Sequence, residues 1–175
     1  MSTPRVLQSL PGSQATHTLF PGDVGLGFAD DVLETLLGSC VALILTDPRR
    51  TIGAMCHVVH SGEPPVGTPP NTAYAVHAMN RMFGLLRSVG ISPSLCDAYV
   101  YGGGNMFPDI VSARHVGQRN VGWIMDFLKL ENIRIVHQSF GGAVYRKVRW
   151  KVGTGEPAVI ESDIERVSLT SGQSS

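Results

Sequence analysis

Three things are scarce in this chain of 175 residues: cysteine, charge and long apolar runs. The three cysteines, Cys40, Cys56 and Cys96, are an odd number without short framework spacing, which argues for reduced thiols over a disulfide-stapled module. Only 16% of residues are charged, and Lys plus Arg equals Asp plus Glu at 14 each. No net field therefore draws in nucleic acid or an anionic membrane. No segment reaches the roughly 18 to 20 apolar residues of a membrane span. The opening "MSTPRVLQSLPGSQ" lacks the apolar core of a signal peptide. Together these absences lead us to expect a cytoplasmic protein that neither binds nucleic acid nor inserts into a membrane.

What is present is apolar residues, at 43%, enough for one closed core. We expect a single domain over residues 17–166, with flexible tails at 1–16 and 167–175 where Ser, Pro, Gln and Gly dominate. "CVALILTD" is an apolar run of strand length stopped by Asp47-Pro48, and "TIGAMCHVV" reads as its hairpin partner. "NTAYAVHAMNRMFGLLRSVG" is amphipathic, with Ala73, Val76, Met79, Met82, Phe83 and Leu86 at helical spacing. Asn71 or Thr72 is the expected cap and Gly90 the stop. "LCDAYVYGGG" reads as a strand entering a glycine turn, and "QRNVGWIMDFLKLEN" as a second helix. "IRIVHQSFGG" gives a strand, and "YRKVRWKVGTGEPAVIES" a hairpin around "GTGE" whose basic residues form a wet face. The fold class that follows is α+β, a layered arrangement of mixed β-sheets packed with two main helices.

Chemistry concentrates around "LLGSC" and "GAMCH". A free thiol has a pKa near 8.5, so a nucleophilic cysteine needs a neighbouring base and donors for the oxyanion it creates. Gly38-Ser39 before Cys40 permits a sharp turn with free amides. If the two strands pair as a hairpin, His57 becomes a cross-strand neighbour of Cys40. The same residues are compatible with a small packing cysteine beside an unrelated histidine. A zinc site from Cys40, Cys56, His57 and His60 fits poorly, because Cys56 and His57 are adjacent and point to opposite strand faces. "YGGGNMF" lacks the lysine and hydroxyl of a phosphate loop, so a tight turn is its simplest reading.

"FPGD", "TLLGSCVALILTDP", "IGAMCHVV", "YGGGNMF", "VGQRNV" and "GGAVYRKV", in this order, resemble the CheD family of chemoreceptor glutamine deamidases. The likeness runs from about Phe20 to about Ile160. It implies a fold shared with cysteine hydrolases of the cytotoxic necrotizing factor type. It also implies conversion of chosen chemoreceptor glutamines to glutamate through a cysteine thioester, with methylesterase activity in some members. The family's nucleophile falls on Cys40, its base on His57 and its third polar residue on Thr35. Members differ by one residue in the threonine's place, and that would select Glu34 instead. Many members continue past the histidine with "LP", where this chain has "VVHSG". No metal or organic cofactor is implied. The implied partners are methyl-accepting chemotaxis receptors as substrate and a CheC-type phosphatase. A docking module that binds and stimulates that phosphatase is the alternative to an enzyme. Gly103, Asn105, Arg119 and Asn120 match the family at positions read as structural, with alignment of the groove as the second reading.

Overall fold

The computed structural model describes residues 3–164, apart from the side chains of residues 112–115. One sheet has six strands, ordered β1 (Val6–Gln8), β3 (Val24–Phe28), β6 (Ile52–Val58), β5 (Val41–Thr46), β7 (Asp97–Gly102) and β8 (Arg134–Phe140). The second has four, ordered β10 (Ala158–Asp163), β9 (Val144–Lys151), β4 (Val32–Leu37) and β2 (Thr16–Leu19). Both are mixed: β1–β3, β7–β8 and β2–β4 are parallel pairs, and the remaining pairs are antiparallel. Helices α1 (Ala75–Ser88) and α2 (Val111–Leu130) cover the outer face of the large sheet. The result is three layers, helices on sheet on sheet, in agreement with the expected fold class.

The unbroken apolar run of β5 follows from its place as an inner strand of the middle layer. All six of its residues are buried. Val41, Leu43 and Leu45 pack toward the helices, and Ala42 and Ile44 pack toward the small sheet. A strand covered on both faces does not alternate polar with apolar. Asp47 then closes the β5–β6 hairpin by accepting the amides of Thr51 and Ile52 at 2.8 and 2.9 Å.

Several expectations are corrected. Part of the supposed N-terminal arm is built into the large sheet as β1, held there by pairing with β3 and by the carboxylate of Asp31. That carboxylate accepts the hydroxyls of Ser9 and Ser13 and the amide of Ala15. The C-terminal tail from 167 lies outside the described residues. Neither Asn71 nor Thr72 caps α1, whose first-turn amides at Ala75 and Val76 instead meet the carbonyls of His60 and Gly62 at 2.9 and 3.0 Å. Its buried face is Ala75, Ala78, Met79, Met82, Phe83, Leu85 and Leu86, so Ala73 and Val76 are not part of it. Helix α2 begins at Val111, upstream of "QRNV". On β9, Lys147, Arg149 and Lys151 form the wet face, but Arg146 turns inward and is 4% exposed.

Candidate active site

The chain crosses from one sheet to the other at the Gly38–Cys40 bend, between β4 and β5. Inward-facing residues on both sides of this crossover therefore meet in the inter-sheet core. On β4 these are Leu33, Thr35 and Leu37, whereas Glu34 faces out to Thr18 and Arg149. A one-residue step along a strand reverses the face. Glu34 is thus directed away from the position that Thr35 occupies.

On β6, Met55 enters the inter-sheet core and Cys56 enters the helix-side core. His57 follows the Met55 face and is 2% exposed. The β5–β6 register pairs His57 with Ala42 and Val41 with Val58. Cys40 therefore lies diagonally from His57 on the same face, two residues off the direct pairing that a simple hairpin suggests. Such diagonal neighbours are about 7–8 Å apart at the backbone, within reach of a thiol and an imidazole. Cys40 is partly exposed, at the border of the inter-sheet core.

The imidazole is fixed on its other side. Thr35 Oγ1 lies 2.8 Å from His57 Nδ1 and donates to the Leu19 carbonyl at 2.7 Å. A hydroxyl has one proton. With that proton given to a carbonyl, which only accepts, the bond to Nδ1 must run from the ring to the threonine. Nδ1 carries the hydrogen, and Nε2 is left as the basic nitrogen.

The backbone of His57 is gripped as well. The "PGD" turn that precedes β3 donates from the Gly22 amide to the His57 carbonyl at 2.8 Å. It accepts the His57 amide on the Asp23 carbonyl at 3.1 Å. The Asp23 carboxylate anchors this turn through the Phe20 amide at 2.9 Å and the Arg5 guanidinium at 2.6 Å. Burial opposes ionisation of Asp23, but Arg5 and the amides outweigh it and hold the carboxyl below its ordinary range. Asp23 is a residue the sequence reading passed over inside "FPGD", although a Gly-Asp turn ahead of a strand was a usable signal.

The glycine turn after β7 holds the Gly38–Cys40 bend. The Gly103 amide donates to the Cys40 carbonyl at 2.8 Å, and the Gly104 amide to the Gly38 carbonyl at 2.9 Å. Gly102 has φ +121°, and a Cβ there would run into the Cys40 carbonyl, so both conformation and approach call for glycine. Arg146 reaches this turn from the small sheet, donating to the carbonyls of Gly102 at 3.3 Å and Gly141 at 2.8 Å.

Electrostatics set the resting protonation. Burial pushes the Cys40 thiol up to about 11. Burial also brings His57 down to about 4, with the charge of Asp23 pulling the other way. Both groups are neutral near pH 7, a thiol and an imidazole on one face of the sheet. Such a pair suits general-base activation of a sulfur nucleophile when substrate arrives. Among the described residues no three His, Cys, Asp or Glu side chains group as a metal site. His60 is exposed and packs in a tilted arrangement against Tyr74, with ring centroids 4.7 Å apart. His60, Ser61, Arg119 and Asn120 line a shallow cavity of about 310 Å³ beside the end of β6.

Comparison with known proteins bears on the chain as a whole. Residues 61–160 match the family described as CheD chemotactic sensory transduction, a span that begins just after His57. A Thiobacillus denitrificans protein named "Probable chemoreceptor glutamine deamidase CheD" is 31% identical over 147 residues, covering 82% of this chain and 72% of its own. Proteins of the same name from Agrobacterium fabrum and Methanococcus vannielii are 37% and 32% identical. These matches cover 70% and 73% of this chain, and 67% and 82% of the relatives. Among the described residues no helix is long and apolar enough to cross a membrane.

Proposed function

The chain belongs to the CheD family, and from that premise we propose that it deamidates glutamine side chains of a chemoreceptor, with Cys40 as nucleophile, His57 as base and Thr35 orienting the base. One observation carries the residue roles: the Thr35 hydroxyl is committed to Leu19, so the imidazole presents a basic Nε2 on the face it shares with Cys40.

His57 Nε2 takes the thiol proton as the sulfur attacks the carboxamide carbon, forming a tetrahedral oxyanion. Amides of the Gly38–Cys40 bend stabilise that oxyanion. The imidazolium returns the proton to the amide nitrogen, ammonia leaves, and a Cys40 thioester remains. Water, deprotonated by Nε2, attacks the thioester; the thiolate leaves and regains a proton, and the side chain is released as glutamate. No step calls for a metal or organic cofactor.

The substrate partner is the cytoplasmic part of a methyl-accepting receptor, and the reaction belongs in the cytoplasm. A CheC-type phosphatase would compete with that receptor if both dock at Cys40. The test is peptide mass spectrometry of receptor cytoplasmic domains co-expressed with wild type or Cys40→Ala. Glutamine-to-glutamate conversion at discrete positions with wild type alone supports the reading. Equal conversion with Cys40→Ala refutes it.

A further inference from the structure

Asn120 sits in α2 and is 2% exposed. A buried primary amide must place its donors, and this one places both protons of Nδ2 on main-chain carbonyls. One is Ser39 at 3.2 Å and the other is Val59 at 3.0 Å. Ser39 is the residue before Cys40, and Val59 is two residues after His57. A single side chain thus bridges the bend that carries the thiol and the end of the strand that carries the imidazole.

With this bond, three consecutive carbonyls of the bend are held. Gly38 is bound by Gly104, Ser39 by Asn120 and Cys40 by Gly103. All three bonds use carbonyls, so they consume none of the amides of Gly38–Cys40. The approach that permits this is built into the helix. Gly117 lies one turn before Asn120, and a Cβ there would strike the carbonyls of Gly103 and Gly104. A mid-helix glycine is less favourable than alanine. Here it lets α2 rest against the glycine turn, and so brings Asn120 to Ser39.

Resting on the roles proposed for Cys40 and His57, we infer that Asn120 is a positioning residue that fixes the separation of nucleophile and base by bridging Ser39 and Val59. It touches neither substrate nor reacting atoms. Small displacements of reacting groups weigh heavily on rate, with about 1 Å costing as much as 100-fold. Loss of the bridge therefore acts on kcat and leaves substrate binding intact.

The experiment measures kcat and KM for deamidation of a soluble receptor cytoplasmic domain, using wild type, Asn120→Leu, Asn120→Asp, Asn120→Gln and Cys40→Ala. Leucine and aspartate are close to asparagine in size and remove the amide donors, so either one that folds serves. The expected result is a kcat lower by about 10- to 100-fold, an unchanged KM and partial recovery in Asn120→Gln, which keeps the amide. Circular dichroism confirms that the variants are folded at the assay temperature. An unchanged kcat in a folded variant without the amide overturns the inference, as does a loss that follows only the unfolded fraction. Retained turnover in Cys40→Ala instead overturns the reading beneath it.

Discussion

Thr35 and His57 stand on different sheets and meet at 2.8 Å across the inter-sheet core, with the threonine's own proton already given to Leu19. This bond decides the tautomer of the ring, and through it the direction in which the imidazole is basic. Its geometry follows from register. Leu19 is the β2 partner of Thr35, so the acceptor that takes the hydroxyl proton lies directly across the strand pair.

Thr35→Val keeps the shape of the side chain and removes the acceptor. The Nδ1–H then loses its hydroxyl acceptor, a loss of about 1–3 kcal/mol, and the ring is held less firmly in its orientation. Steady-state assays are expected to give kcat lower by about 10- to 100-fold, less than the roughly 10²–10⁴ that a general base contributes as a whole, because the base itself is kept. Thr35→Ser keeps the oxygen and is expected to keep most of the rate. Equal rates for valine and serine variants would contradict the orienting role.

Burial of His57 and of Cys40 fixes a pH response. The pKa of His57 in the fold lies near 4, against an ordinary 6.5. The unfolded chain therefore binds the extra proton first as pH falls. Stability associated with neutral His57 is complete above 6.5 and is lost as pH falls toward 4, amounting to roughly 3 kcal/mol. Thermal melts across that interval are expected to show the decline, and His57→Gln is expected to flatten it. Alkylation of Cys40 by iodoacetamide is expected to accelerate toward its pKa of about 11. A fast, pH-independent rate between pH 6 and 8 would instead reveal a thiolate–imidazolium pair.

Much of this site was legible in the sequence because it is local. The Gly-Ser-Cys bend before an apolar run and the hairpin back to His57 lie within one supersecondary unit. What stayed hidden depends on chain contacts that pattern does not encode. Arg146 reads as one more wet residue of "YRKVRWK", yet the carbonyls of Gly102 and Gly141 and the Glu161 carboxylate make it an inward anchor. Strand β1 was missed because three residues in a Pro- and Ser-rich stretch carry no period, and its order comes from Asp31 and β3. Asn120 belongs to a recognisable motif, but its use depends on Ser39, which is 81 residues away in sequence.

Arg146→Met removes the donors that hold the Gly102 and Gly141 carbonyls and releases a half-exposed Glu161. The expected cost is about 1–3 kcal/mol for the unpaired carbonyls, seen as a lower melting temperature. The glycine turn braces the Cys40 carbonyl, so kcat is expected to fall as well. A variant with unchanged stability would show that the turn holds itself.

Gly117→Ala adds a methyl against the Gly103 and Gly104 carbonyls. Helix propensity alone favours this change by about 1 kcal/mol, so the sign of the effect discriminates. The expected outcome is lower stability with reduced turnover, because α2 must withdraw and take Asn120 with it. A stabilised, fully active variant would contradict the close packing of α2 on the glycine turn.

On the proposed roles, the side-chain carbonyl carbon of the receptor glutamine becomes bonded to the sulfur of Cys40 during turnover. Acid quenching during turnover with a receptor cytoplasmic domain, followed by digestion and mass spectrometry, tests this directly. The expected result is a receptor peptide linked to the peptide containing Cys40, released by hydroxylamine and absent from Cys40→Ser. Full turnover in Cys40→Ser, or a hydroxylamine-sensitive link at Cys56 or Cys96 instead, would overturn the role proposed for Cys40.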